Sequence, residues 1–124
     1  MRILVLDNYD SFTYNIVHIL REFDGLEISV IKNDIIKMNE VQSYDKIILS
    51  PGPSLPKDAG SMNELISNYY DSKPILGICL GHQAIAENFG GKLYNMEEPL
   101  HGVQTDIYLE DDYIFKGIES KIKA

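Results

Sequence analysis

The stretch Pro74-Ile75-Leu76-Gly77-Ile78-Cys79-Leu80-Gly81-His82-Gln83-Ala84-Ile85 decides the fold class. Its first five residues are a short apolar run, bounded by proline, that predicts a strand. From Gly81 the pattern becomes helical and continues to Phe89, where Gly90-Gly91 closes it. A strand that runs into a helix through Gly-x-Cys-x-Gly has the form of a nucleophile elbow, with sulfur where a serine oxygen would stand.

Upstream, the same alternation repeats. Residues 3–6 are apolar and end at the turn-prone Asp7-Asn8. A helix follows from Ser11, with Phe12, Ile16, Ile19, Leu20 and Phe23 as its expected buried face and Gly25 as its stop. Residues 28–31 make a second strand, and Asp34 is the expected N-cap of a short helix over 35–41. Residues 46–49 form a third strand, cut off by Ser50-Pro51-Gly52-Pro53. Ser61 and Glu64 stand at capping-box spacing before a helix that buries Met62, Leu65, Ile66 and Tyr69. Residues 92–94 and 104–109 are weaker strand candidates. Strands alternating with helices predict an α/β fold: a three-layer, doubly wound, mostly parallel sheet. No repeat, low-complexity tract or linker interrupts it.

The bulk properties narrow the function. At 124 residues, 44% hydrophobic and 24% charged, the chain suits one globular domain with its own core. The net charge of −8, with no Lys/Arg cluster to offset it, argues against nucleic acid or an acidic membrane surface as a partner. A single cysteine, Cys79, rules out an internal disulfide and suits a reducing compartment. No leader pattern and no span of about 20 apolar residues is present, so the expectation is a cytoplasmic protein without a membrane span.

In a doubly wound sheet, ligands sit beyond the carboxyl ends of the strands. Two loops there carry unusual residues. The first holds Cys79. Taken alone, it reads equally well as a small buried hydrophobe at a strand end; the strand–helix context favours the elbow. Glycines two residues to either side leave space for a sharp bend and for a substrate. A helix N-terminus favours a thiolate, and the N–H of Leu80 is placed to stabilise an oxyanion. The second loop is Ser50-Pro51-Gly52-Pro53-Ser54. It is either a plain strand-to-helix turn or the source of a further oxyanion donor.

Four segments occur together and in order: Asp7-Asn8-Tyr9-Asp10-Ser11-Phe12-Thr13-Tyr14-Asn15, Leu49-Ser50-Pro51-Gly52-Pro53, residues 74–85, and His101-Gly102. On these the chain resembles the class I glutamine amidotransferases, and among them the glutaminase components of anthranilate synthase and aminodeoxychorismate synthase. The resemblance implies that Cys79 attacks the side-chain amide of L-glutamine, giving a glutamyl thioester and ammonia, and that water then releases glutamate. It implies oxyanion donors at Leu80 and in the loop of Gly52, Pro53 and Ser54. It also implies contact of Gln83 with glutamine, and a position of His101 and Gly102 near a chorismate-using synthase subunit. His82 reads as structural. No cofactor or metal is implied.

Three departures from the family pattern stand out. Ser54 replaces the second glycine of Pro-Gly-Pro-Gly, and Val103 replaces a lysine after His-Gly. The family's catalytic histidine and glutamate belong to a later segment, so residues 1–124 are expected to form a C-terminally incomplete domain. The main expectation is therefore a glutaminase subunit serving anthranilate, hence tryptophan, synthesis. The alternatives are the aminodeoxychorismate (folate) counterpart, an inactive interaction module prone to self-association, and a flavodoxin-like ligand binder. The last is the weakest, because the proline-rich first loop lacks a phosphate-cradling pattern.

Overall fold

A computed structural model describes residues 1–98 and 102–124, in two compact units, Met1–Leu93 and Tyr94–Ala124. The first unit contains strands β1 (Arg2–Asp7), β2 (Glu27–Lys32), β3 (Lys46–Leu49) and β4 (Ile75–Gly77). Its helices are α1 (Thr13–Leu20), α2 (Met38–Val41), α3 (Met62–Tyr69) and α4 (Leu80–Asn88). All strand pairings are parallel, in the order β2-β1-β3-β4.

Alternation along β1 builds two cores at once. Leu4 and Leu6 join Ile47 and Leu49 under α2, α3 and α4, while Ile3, Val5 and Ile48 meet Val17 of α1 on the opposite face. That is the expected three-layer, doubly wound arrangement. Leu4, Leu6 and Leu49 are fully buried, each worth about 1.5–3 kcal/mol relative to exposure. From β1 the chain crosses first to β2 on one side and later to β3 on the other. The loops after β1 and β3 therefore diverge and open a crevice at the carboxyl edge of the sheet.

Several local expectations are corrected. Helix α1 buries Thr13 and Val17, with Ile16 and Leu20 half-buried, whereas Phe12, Ile19 and Phe23 are exposed. The phase is fixed by a polar contact: Thr13 Oγ1 donates to Asp7 Oδ1 at 2.8 Å and turns that edge of the helix inward. Asp34 does not cap a helix. Helix α2 begins at Met38, after Lys37, and the Asp34 carboxylate instead accepts the Tyr9 hydroxyl. Ser61 does occupy the N-cap position of α3, but its side chain makes no capping bond. The α3 core stripe is as expected. Residues 92–94 form no strand.

The second unit pairs β5 (Asp106–Tyr108) with β6 (Lys121–Lys123) in antiparallel register. A Lys121–Asp106 ion pair at 2.8 Å lies across the two strands. β5 falls inside the expected strand over 104–109. β6 has no counterpart among the expected strands, since Lys121-Ile122-Lys123 is too short and polar to stand out.

Candidate active site

The elbow is present in the backbone. Cys79 stands between β4 and α4 at φ 51° and ψ −108°, in the N-cap position of α4. A non-glycine residue at positive φ costs on the order of 1–3 kcal/mol and persists only where its surroundings enforce it. The neighbouring packing does so. A Cβ on Gly77 would lie 2.5 Å from the backbone carbon and oxygen of Gly81. A Cβ on Gly81 would lie 2.5 Å from Cβ and O of Leu49. Helix α4 is thus seated directly on the ends of β3 and β4, with no room for a side chain at either glycine. The turn is pinned further by Ile78 N–H donating to Leu49 O, Gly81 N–H to Ile78 O and Gln83 N–H to Cys79 O, each 3.0 Å.

The result is an exposed thiol on a rigid turn. Leu80 is buried, and no acceptor among the described residues takes its N–H. That leaves a backbone donor free next to the sulfur, the arrangement an oxyanion requires. Gln83 lies half-buried one turn into α4. His82 is exposed on the same helix, and His18 is exposed on α1.

The loop after β3 meets the elbow at Gly52. A Cβ there would come within 2.7 Å of Leu80 Cδ2 and 2.6 Å of Asn8 Cβ, so only glycine fits between the two. Ser54 has φ 65°, the left-handed conformation that a glycine adopts at no steric cost and a serine does not. Of the three loop residues, Gly52 and Ser54 carry N–H groups without a described acceptor. Pro53 has no N–H, so its contribution is to stiffen the loop. Gly52, Pro53 and Ser54 of the loop after β3 thus meet the Cys79 elbow through the packing of Gly52 on Leu80, the first residue of α4, with Gln83 three residues further along that helix. Gly102 lies in the second unit, at φ 68°; His101 lies outside the described residues.

A cavity of about 330 Å³ opens where the loops after β1 and β3 diverge, lined in part by Asn8, Tyr9, Asp34, Pro53, Ser54 and Leu80. A larger one, about 470 Å³, lies wholly in the second unit between Leu109 and Ser120 and holds none of the expected site residues. The Tyr9 hydroxyl donates to both Asp34 oxygens at 2.8 Å. This bond, then partial burial and the negative charge of Asp34 and Asp7, hold the phenol above its usual pKa. Among the described residues no cluster of His, Cys, Asp and Glu could hold a metal ion, and no helix is long and apolar enough to cross a membrane.

Sequence reasoning missed the buried polar groups behind the loop. Asn8, Asn33, Ser50 and Thr13 are all buried and hydrogen-bonded to one another or to Asp7. The available signal was a polar residue directly after an apolar strand, at Asn8 and again at Ser50.

The glutamine amidotransferase class-I family model matches residues 4–124. Anthranilate synthase component 2 of Thermus thermophilus is 44% identical over all of this chain, and aminodeoxychorismate/anthranilate synthase component 2 of Bacillus subtilis is 44% identical over 98% of it. The chain spans 61% and 63% of the length of these two relatives. A crystal structure of a GMP synthase-type protein from Thermoplasma acidophilum superimposes with a TM-score of 0.84 at 31% identity, over 99% of this chain and 62% of that one. With a Gly-x-Cys-x-Gly elbow at the expected place in a doubly wound sheet, and a family match along almost its whole length, the chain belongs to the class I glutamine amidotransferases.

Proposed function

We propose that this chain carries the nucleophile and oxyanion half of a glutaminase site that feeds ammonia to a chorismate-using synthase. The observation that carries the reading is Cys79 at φ 51° between two glycines that admit no side chain. A structural cysteine at a strand end has no need of that strain.

In this reading the Cys79 thiolate adds to the amide carbon of glutamine, and the carbonyl electrons move onto oxygen. The N–H groups of Leu80, Gly52 and Ser54 hold that oxyanion. As the carbonyl re-forms, the C–N bond breaks and the nitrogen takes a proton, leaving as ammonia. A glutamyl thioester remains on Cys79. Water adds to it, again through an oxyanion in the same place, and expels the thiolate and glutamate. Gln83 orients the substrate. The proton transfers fall to the histidine and glutamate that the family resemblance assigns to a later segment, since neither His18 nor His82 is hydrogen-bonded to Cys79. Removing acid–base assistance costs about 10²–10⁴-fold, so residues 1–124 alone are expected to turn glutamine over poorly.

The relatives named as component 2 of anthranilate synthase support a component 1 partner and a role in tryptophan synthesis. The doubly named Bacillus subtilis relative supports aminodeoxychorismate synthesis as a second role of the same site. The family resemblance implies that His101 and Gly102 lie near the synthase partner, and a cytoplasmic location suits a glutamine-consuming protein with one free cysteine. In the full-length protein, Cys79→Ala is expected to abolish glutamine-dependent synthesis while the partner still uses free ammonia. Glutamine hydrolysis surviving in Cys79→Ala overturns the mechanism.

A further inference from the structure

The loop that bears Gly52 and Ser54 has proline at two of its five positions and few backbone bonds of its own, yet it has to hold donors in place to a fraction of an ångström. What holds it is a buried polar network behind it. Asn8 is 2% exposed. Its backbone N–H donates to Ser50 Oγ at 2.9 Å, and its side-chain amide donates to Ser50 O at 2.9 Å. Ser50 Oγ in turn donates to the Pro51 carbonyl at 2.7 Å. The two carbonyls that lead into Gly52 are therefore both fixed, one by Asn8 directly and one through Ser50. Asn8 is itself locked: its Oδ1 accepts Asn33 Nδ2 at 2.9 Å, and Asn33 O accepts Ser61 N–H at 2.9 Å. Asn8 also forms one wall against Gly52, with Leu80 as the other.

Resting on the glutaminase reading above, we propose that Asn8 is a positioning residue. Its amide clamps the Ser50-Pro51 segment and thereby sets the distance between the Gly52–Ser54 donors and Cys79. The amide is the required group because it can donate to Ser50 O and accept from Asn33 at the same time. An aspartate of the same shape places an acceptor against the Ser50 carbonyl and releases the clamp. The consequence falls on the transition state, where charge on oxygen is largest, more than on bound glutamine.

The test compares Asn8→Asp, Ser50→Ala and Thr13→Val in the full-length protein. Thr13 is a control: it is buried and its hydroxyl donates to Asp7, and among the described residues it makes no hydrogen bond to the loop. Removing a whole oxyanion donor costs about 10²–10³-fold; a displaced one is expected to cost about 10- to 100-fold in kcat. In Asn8→Asp, KM for glutamine should move by no more than about threefold. Ser50→Ala should show a smaller loss of the same kind, and it decides the matter if Asn8→Asp does not fold. Thr13→Val should lose stability but keep kcat. The discriminating readout is alkylation of Cys79 by iodoacetamide, a displacement at a saturated carbon that builds no oxyanion. Its rate should be unchanged in Asn8→Asp while glutamine turnover falls. Equal losses in alkylation and turnover, a matching kcat loss in Thr13→Val, or an unchanged kcat in Asn8→Asp overturns the proposal. A wild-type protein that hydrolyses no glutamine overturns the glutaminase reading, and this proposal with it. An active wild type with an indifferent Asn8 overturns this proposal alone.

Discussion

Replacing Gly81 by alanine sets two physical effects against each other. Gly81 is the second residue of α4, and on helix propensity alone alanine is favoured there by about 1 kcal/mol. The packing says the opposite. The added methyl would stand 2.5 Å from both Cβ and O of Leu49, whereas ordinary contact begins at 3.4 Å. Relief requires the first turn of α4 and the end of β3 to part by about 0.9 Å, the difference between those two distances. Leu49 is fully buried and its carbonyl is already bonded to Ile78 N–H, so neither side yields cheaply. Overpacking of this kind costs about 1–3 kcal/mol, and a clash with backbone belongs at the upper end. Net of propensity, Gly81→Ala is expected to destabilise by about 1–2 kcal/mol, read as a lower midpoint in urea unfolding. The same displacement carries Leu80 N–H and Cys79 away from the Gly52 loop. A misplacement near 1 Å costs on the order of 10²-fold in rate, so glutamine hydrolysis should fall by about that factor in protein that is still folded. Gly77→Ala, which meets Gly81 itself at 2.5 Å, should behave alike. A Gly81→Ala protein more stable than wild type and fully active would refute the reasoning, because propensity would then have outweighed the packing.

Ser54 at φ 65° carries about 1–2 kcal/mol of left-handed strain, partly offset in Ser54→Gly by the greater freedom of glycine in the unfolded chain. Ser54→Gly should therefore raise stability or kcat/KM by up to about 1 kcal/mol, roughly fivefold; unchanged kinetics and an unchanged unfolding midpoint would show that the serine is accommodated without cost. For Tyr9, the raised phenol pKa means that the bond to Asp34 contributes in full below the ordinary tyrosine value and is lost as pH rises through the raised one. Ultraviolet titration should show one late-ionising tyrosine that rejoins the others in Asp34→Asn; identical titration curves for the two proteins would remove the bond from the account.

The parallel three-layer sheet, its four strands and the elbow at Cys79 were legible because they depend on local pattern. The apolar runs at 3–6 and 47–49 are buried on both faces of the sheet, and the run at 75–77 pairs beside them as the edge strand. A cysteine between two glycines is ambiguous alone, and its place at a strand–helix junction is what gave it meaning. The departure at Ser54 was legible too, as a serine in a glycine's place, and the structure puts it at φ 65°. The tertiary structure decided what depends on neighbours distant in sequence. Helix α1 offers two apolar ridges, and the one holding Phe12, Ile19 and Phe23 lost because Thr13 had a partner in Asp7. Asp34 had the composition of a cap, yet its carboxylate went to Tyr9, 25 residues away. Asn8 and Ser50 looked like turn residues, and only the pairing of β1 with β3 brings them together, 42 residues apart, behind the loop. Periodicity records which residues need burial. It does not record which buried polar group finds which partner, because that choice is made by the strand order, and the strand order is a property of the whole sheet.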